Sequence, residues 1–222
     1  MRIIVTVAVY LFSSLYAVAQ VPVSKEPRHH PVFENDKVRI LNVLLPPGDT
    51  TQYHVHSTPS VFISFTRTLT GSQLKNSQPD YSTSVAGNVW YEDLSEPHIK
   101  IHRVWNMDTS AFHVMDIELL KKETRFISNP PAIPNALLQI DTSWARTYTI
   151  HLANNESVNI NEQPYDFILI AIDDSKIKLV ENGKESTLFT KPGWFYWINA
   201  NEKFSFFNAG NSAADFRLIG IK

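Results

Sequence analysis

Gly48-Asp-Thr-Thr-Gln-Tyr-His54-Val-His56 is the most informative segment of this chain, and Pro97-His-Ile-Lys-Ile-His102-Arg-Val-Trp-Asn106 follows it about forty residues later. Successive side chains of a β-strand point to opposite faces, so His54 and His56 lie on one face, about 6.5 Å apart along the strand. A third histidine on a neighbouring strand completes a set of neutral nitrogen ligands, which suits divalent transition metals. The two segments together predict a metal site built from distant strands.

These segments resemble the two sequence motifs of the cupin family. Gly48, His54 and His56 match the first motif, G-x5-H-x-H, in register, whereas Ser60 and Val61 stand where its glutamate belongs. The proline, histidine and asparagine positions of the second motif are matched by Pro97, His102 and Asn106. The resemblance implies a jelly-roll β-barrel that binds one Fe, Mn, Zn, Ni or Cu ion through His54, His56 and His102, without a carboxylate ligand.

The second half of the chain repeats the first. Asn208, in Phe207-Asn208-Ala-Gly-Asn-Ser, corresponds to Asn106, in Trp105-Asn106-Met-Asp-Thr-Ser. This self-similarity indicates a duplicated domain. We expect Asn159 and Asn161 to replace the first histidine pair and Phe204 to replace His102, so only the N-terminal copy keeps the ligands. The resemblance therefore extends to a two-domain cupin, a bicupin, with a degenerate C-terminal copy.

Short runs rich in β-branched and aromatic residues, separated by Pro-Gly and Asn-Gly pairs, predict an all-β protein. Two tandem cupin-type jelly-roll barrels fit this pattern. We assign the N-terminal cupin domain to residues 20–120 and the C-terminal one to residues 135–222. Residues 121–134 carry charges and three prolines, which oppose regular structure, and are assigned as a linker.

The N-terminus reads as a signal peptide. Arg2 precedes an apolar run from Ile3 to Tyr16, and Ala17-Val18-Ala19 offers the small-x-small pattern of a cleavage site. The apolar run is shorter than the ~20 residues that a membrane-spanning helix needs. We therefore expect residues 1–19 to be removed and the mature protein to be periplasmic or secreted.

The composition of the chain indicates which kinds of partner are expected. The chain has no cysteine, so its stability must come from its core rather than from disulfides. A formal net charge of −2 gives no reason to expect nucleic acid or, after signal cleavage, a membrane as a partner. A small-molecule ligand or substrate is expected, and a homodimer is one arrangement that the sequence allows.

The other polar residues near the motifs receive modest roles. Gln52 lies on the same strand face as His54 and could donate a hydrogen bond that orients a ligand, or complete a weak coordination sphere. His98 and the pair His29-His30 are expected at the surface, with a role at the barrel mouth as the alternative for the pair. Asn106 is expected to fix a turn, and Trp90 to lie in the core or in a pocket wall.

Three functional classes fit these observations. The first is a metal-dependent small-molecule enzyme, an oxygenase, isomerase or lyase. The second is a non-catalytic module that binds a metabolite or sugar, and the third is a structural scaffold. No catalytic residue is assigned, because no general acid or base is evident beside the histidines.

Overall fold

The computed structural model describes residues 20–122 and 129–222, and it confirms an all-β fold. The predicted signal peptide and residues 123–128 of the predicted linker lie outside this described part. The N-terminal half contains a short 3-10 helix, Val23–Lys25, and ten strands: β1 (Val21–Pro22), β2 (His29–Glu34), β3 (Val38–Leu45), β4 (His54–His56), β5 (Ser60–Ser64), β6 (Leu69–Leu74), β7 (Asp80–Thr83), β8 (Val89–Glu92), β9 (Lys100–Asn106) and β10 (Phe112–Leu119).

The C-terminal half begins after the predicted linker. Its strands are β11 (Ala136–Asp141), β12 (Ala145–Leu152), β13 (Ser157–Ile160), β14 (Asp166–Ala171), β15 (Ser175–Glu181), β16 (Lys184–Thr190), β17 (Phe195–Ile198), β18 (Phe204–Asn208) and β19 (Ala214–Ile221). Over the described residues, no helix has the length and apolar character needed to cross a lipid bilayer.

Each half forms a barrel from two facing sheets. The N-terminal sheets have the strand orders β1-β4-β9-β6-β7 and β2-β3-β10-β5-β8. The C-terminal sheets have the orders β11-β12-β19-β14-β17 and β13-β18-β15-β16. Apart from the parallel pair β1–β4, the paired strands are antiparallel. The predicted pair of tandem jelly-roll barrels is thus confirmed.

Two asparagines occupy equivalent positions in the two halves and make the same hydrogen bonds. The Nδ2 of Asn106 donates a hydrogen bond to the carbonyl of Ser110 at 2.8 Å and a second one to a carbonyl of β3. The Nδ2 of Asn208 donates to the carbonyl of Ser212, also at 2.8 Å, and to a carbonyl of β12. Both side chains are buried, and both fix the turn between the last two strands of their barrel. The structural role predicted for Asn106 is confirmed.

The prediction that Asn159 and Asn161 replace the histidine pair is wrong by one residue along strand β13. Asn159 and Asn161 are exposed, whereas Val158 and Ile160 are buried in the C-terminal core. Ile160 pairs with Phe204, just as the first histidine of the pair on β4 faces the histidine of β9. An inward position on β13 is therefore occupied by an apolar side chain rather than by asparagine.

The two barrels share an apolar interface. Strands β5 and β14 are buried along their whole length, because one face of each lies in its own barrel and the other meets the neighbouring barrel. One continuous cluster joins side chains from both halves, among them Val61, Ile63, Met115 and Ile117 from the first half and Ile168, Ile170, Ile219 and Ile221 from the second.

A buried arginine adds a polar contact between the barrels. Arg217, only 8% exposed, donates its Nε–H to the carbonyl of Gly87 at 2.8 Å. Gly87 has a φ of 78°, and a Cβ built there would lie 2.2 Å from a guanidinium nitrogen of Arg217. Only glycine satisfies both the backbone conformation and the close approach. The C-terminal barrel thereby holds the loop between β7 and β8 of the N-terminal barrel.

Candidate metal centre

The structure brings the three predicted histidines together inside the N-terminal barrel. β4 and β9 are neighbours, and His54 lies directly opposite His102 in their pairing. The Nε2 of His56 lies 3.1 Å from the Nε2 of His54 and 3.2 Å from the Nε2 of His102. His54 and His56 are fully buried, and His102 is partly buried. Three ring nitrogens therefore converge on one region.

These separations fit a shared metal ion. Imidazole nitrogens bind first-row metals at ~2.1 Å, so two ligands of one ion lie ~3.0 Å apart at a right angle and ~3.4 Å apart in a tetrahedron. The observed distances of 3.1 and 3.2 Å fall between these limits. The chemistry of the donors also fits, because neutral imidazole binds iron, zinc, copper and nickel.

Two of the histidines have partners that orient their rings. The Nδ1 of His54 lies 2.9 Å from the carbonyl oxygen of Gln52, which can only accept, so this nitrogen carries the proton. The Nδ1 of His102 lies 3.4 Å from the hydroxyl of Ser72. Such contacts leave the Nε2 lone pairs free for a metal. The predicted side-chain contact of Gln52 is wrong, because Gln52 is exposed and reaches His54 through its backbone carbonyl.

Asp116 on β10 faces the third ring. Its Oδ2 lies 3.5 Å from the Nδ1 of His56, and the aspartate is 1% exposed. Among the described residues, neither carboxyl oxygen nor this Nδ1 has a hydrogen-bond partner. A carboxylate beside the outer nitrogen of a histidine is the usual support of a metal ligand. Unpaired polar atoms in a buried site are costly, and a metal on Nε2 would draw this pair together.

Burial keeps the three rings neutral. It lowers the pKa of His54 to about 4 and that of His102 to about 2, and it lowers the pKa of His56 well below its ordinary value. Neighbouring histidines add to these shifts, because two imidazolium charges repel each other. Burial also raises the pKa of Asp116 well above its ordinary value. At neutral pH the imidazoles are unprotonated, the form that binds metals.

His29 was missed as a site residue by the sequence. It is 7% exposed, and its ring centroid lies 4.6 Å from that of His54. Ring nitrogens of His29, His54 and His56 all lie within 4.8 Å of one another, the only group of this kind among the described residues. The predicted surface position is wrong for His29, whereas His30 and His98 are exposed as predicted.

The motif position of the missing carboxylate gives no ligand. Ser60 and Val61 are fully buried in β5, and Val61 belongs to the interface between the barrels. The C-terminal barrel has no counterpart of the centre, since Ile160 and Phe204 take the places of His54 and His102.

A cavity of about 390 Å³ opens beside the histidines. His29, His56 and His102 contribute to its wall. Its aromatic side is formed by Phe62 and Trp90, which stack with centroids 5.1 Å apart and an angle of 15° between their planes. The predicted position of Trp90 in a pocket wall is confirmed.

The polar side of the cavity combines hydroxyl groups with one ion pair. The Nζ of Lys100 donates to both carboxylate oxygens of Glu92, at 2.7 and 3.0 Å. Ser84 and Asn88, which flank the Gly87 carbonyl held by Arg217, also line the cavity. The volume suits a small organic molecule, with an apolar face for its body and polar groups for orientation.

Comparison with solved structures places this geometry in a known fold. AerE from Microcystis aeruginosa is similar with a TM-score of 0.63 and 12% identity, over 89% of this chain and 98% of that chain. A cupin 2 conserved barrel domain protein from Leptotrichia buccalis is similar with a TM-score of 0.55 and 12% identity, over 87% and 88%. Salicylate 1,2-dioxygenase from Pseudoaminobacter salicylatoxidans, in a structure with gentisate, is similar with a TM-score of 0.63 and 10% identity, over 92% and 76%.

This chain therefore has the same barrel fold as these cupin structures, as the motifs implied. No family model and no curated protein sequence matches the chain. At 10–12% identity these structures establish the fold alone.

Proposed function

We propose that the N-terminal barrel binds one divalent transition metal ion through His54, His56 and His102 and acts there on a small organic molecule. The observation that carries this proposal is the convergence of three Nε2 atoms, 3.1 and 3.2 Å apart, beside a cavity of molecular size. The neutral state of the rings and the buried carboxylate behind His56 support it.

The charge of the site favours an acidic ligand. Three imidazoles carry no charge, so a divalent ion keeps both of its positive charges and supplies Lewis-acid or redox chemistry when bound. Lys100 adds a cation to the cavity wall, partly balanced by Glu92. Small organic acids or phenols that bind through oxygen are the substrate class that fits best. The stacked Phe62 and Trp90 can hold a planar ring and exclude water from it.

We place oxygenation first among the three reaction types. Three protein ligands on an octahedral ion leave room for two substrate oxygens and dioxygen. The dioxygenase whose structure contains gentisate has the same fold, which makes gentisate and salicylate rational first compounds.

Oxygen consumption tests this proposal. The full mature chain is stripped of metal, reloaded with Fe(II) and assayed with gentisate, salicylate and non-aromatic hydroxy acids, with His56→Ala as the matched control. Turnover that depends on His56 would support an oxygenase. Saturable, metal-dependent binding without turnover of any compound would instead favour the non-catalytic binding module.

We also propose that the chain is exported after cleavage behind Ala19. The support is the apolar run Ile3–Tyr16 followed by Ala17-Val18-Ala19. Cleavage at this point leaves β1 intact, because that strand begins at Val21. N-terminal sequencing of the protein isolated from its producing cells should find Gln20 first, and a chain that retains residues 1–19 would contradict export by this route.

A further inference from the structure

We propose that His29, held in place by Glu26, is a fourth nitrogen ligand of this centre and takes the place of the carboxylate that the first motif lacks. This inference rests on the proposed metal site. It adds a ligand from the N-terminal arm, defined here as residues 20–29, which precedes both cupin motifs.

The arm is fixed on the barrel beside the histidines. Its strand β1 pairs in parallel with β4, and Val21 lies opposite His54. Val23, in the 3-10 helix that follows, is only 2% exposed. Backbone hydrogen bonds from Glu26 to the carbonyl of Val23 and from His29 to the carbonyl of Glu26 continue the turn. His29 therefore reaches the site on an ordered support.

Glu26 orients the His29 ring. This carboxylate is 2% exposed, and its Oε2 lies 2.7 Å from the Nδ1 of His29. The same carboxylate accepts the backbone N–H of Arg28 at 2.7 Å and that of Gln52 at 3.1 Å. These donors hold the pKa of Glu26 below its ordinary value although burial opposes them. An ionised acceptor on Nδ1 leaves the lone pair of His29 on Nε2, the atom that a metal would use.

The ring of His29 is as close to His54 as the other rings of the cluster are, whereas its centroid lies 6.2 Å from that of His56. Its centroid is 4.6 Å from that of His54, compared with 4.9 Å between His54 and His56 and 4.7 Å between His54 and His102. Two nitrogen ligands on opposite sides of one ion are ~4.2 Å apart. The ring nitrogens of His29, His54 and His56 all lie within 4.8 Å of one another, a comparable distance. His29 therefore belongs to one group with His54 and His56, and His102 joins that group through its Nε2, which lies 3.2 Å from the Nε2 of His56.

A four-histidine set changes the chemistry of the site. All ligands are neutral, and the balancing carboxylates, Glu26 and Asp116, stand behind His29 and His56 rather than on the metal. An octahedral ion then keeps two open positions instead of three. One substrate oxygen and one dioxygen molecule would fill both.

The neighbouring histidine provides a matched control. His30 is exposed and lies next to His29 in β2. Metal-free mature protein, His29→Ala and His30→Ala are titrated with Cu(II) alone, and the number of nitrogen ligands is measured by electron paramagnetic resonance. We expect His29→Ala to lose one nitrogen ligand and at least about tenfold in affinity. His30→Ala should match the wild type.

Each outcome decides a separate point. Wild-type affinity and nitrogen count in His29→Ala, while His56→Ala loses the metal, would overturn the fourth ligand and leave the proposed site standing. A folded wild type that binds no Cu(II) would overturn the proposed site itself. If His29→Ala does not fold, His29→Gln, which keeps most of the side-chain volume, takes its place with the same two criteria.

Discussion

The two barrels share a strand order, apart from the additional strand β1 in the first, but their interiors differ in polarity and packing. The C-terminal barrel is filled by a continuous apolar core that includes Phe204, Phe206 and Phe216. The corresponding cluster of the N-terminal barrel has only Val43, Phe62, Leu94 and Val114, and the rest of its interior holds a cavity, histidines and a buried aspartate. One copy is filled by apolar side chains and the other keeps an open polar site, a difference that matches the usual conflict between packing and an open polar site.

The difference also explains why the second copy stays attached. A barrel with a cavity and unpaired polar atoms has little core of its own, so it gains stability from its neighbour. The shared cluster of Val61, Ile117, Ile168 and Ile219 supplies that contact.

The largest effect should come from removing the histidine pair. The double variant His54→Ala/His56→Ala should abolish binding of the divalent ion, because two of three converging nitrogens are lost. A double alanine substitution on the exposed face of the other barrel, Asn159→Ala/Asn161→Ala, should leave metal content unchanged. Elemental analysis of the purified proteins measures this, and unchanged metal in the histidine variant would mean that the site lies elsewhere.

The next largest effect concerns the interface. Ile168 and Ile219 are fully buried between the barrels, and truncation of such a residue to alanine costs about 2–5 kcal/mol. We expect a single calorimetric transition in a chain of residues 20–222 and a lower midpoint in Ile168→Ala, because both barrels melt together. Two separate transitions, of which only one moves in the variant, would show that the barrels unfold independently.

Substitution of Asp116 should lower the metal affinity without lowering the free energy of unfolding of the metal-free protein. Asp116→Asn removes the carboxylate behind His56, so metal affinity should fall about 10–100-fold. The metal-free protein should be at least as stable as the wild type at neutral pH, because asparagine avoids the cost of burying an ionised carboxylate, the same cost that raises the pKa of Asp116. A competition titration and denaturant unfolding measure the two quantities. The control Asp173→Asn, in the other barrel, should not change the metal affinity. An equal loss of metal affinity in both variants would contradict a specific role of Asp116.

The smallest effect is a pH dependence of the metal-free protein. An unfolded histidine has a pKa near 6.5, whereas burial lowers that of folded His54 to about 4. Between these values the unfolded chain binds more protons, so the stability present above pH 6.5 is lost as the pH falls. For one such histidine the loss is about 2 kcal/mol between pH 7 and pH 5.

Asp116 opposes this trend, since its raised pKa favours the folded state on acidification. The comparison with His54→Ala/His56→Ala isolates the histidine contribution. Urea unfolding at both pH values should show a stronger acid destabilisation in the wild type than in the variant. Equal pH dependence in both proteins would contradict buried neutral histidines.

The sequence predicted those features of the fold and of the site that depend on residues close together in the chain. The alternation along a strand placed His54 and His56 on one face, and the repeat around Asn106 and Asn208 identified two matching corners. The register of β13 was not predictable in the same way. A shift of one residue exchanges the two faces of a strand, and only pairing with β18 places Ile160 rather than Asn159 inside.

His29 could not be predicted from periodicity, because it reaches the site through the parallel pairing of β1 with β4. A signal was nevertheless present. The motif lacks its glutamate at Ser60 and Val61, and under the proposed four-histidine site this position is filled from another part of the chain. Histidines outside the motifs, such as His29 and His30, were the available candidates.

The contact between Arg217 and Gly87 connects the second barrel to the wall of the cavity. Gly87 lies between Ser84 and Asn88, which line the cavity, so one loop touches both the ligand space and the C-terminal barrel. Coupling between two equilibria is reciprocal. Any molecule in the cavity that favours the loop conformation seen here must also strengthen the association of the barrels. Occupancy of the N-terminal site would then be detectable as thermal protection of a barrel that never touches the ligand.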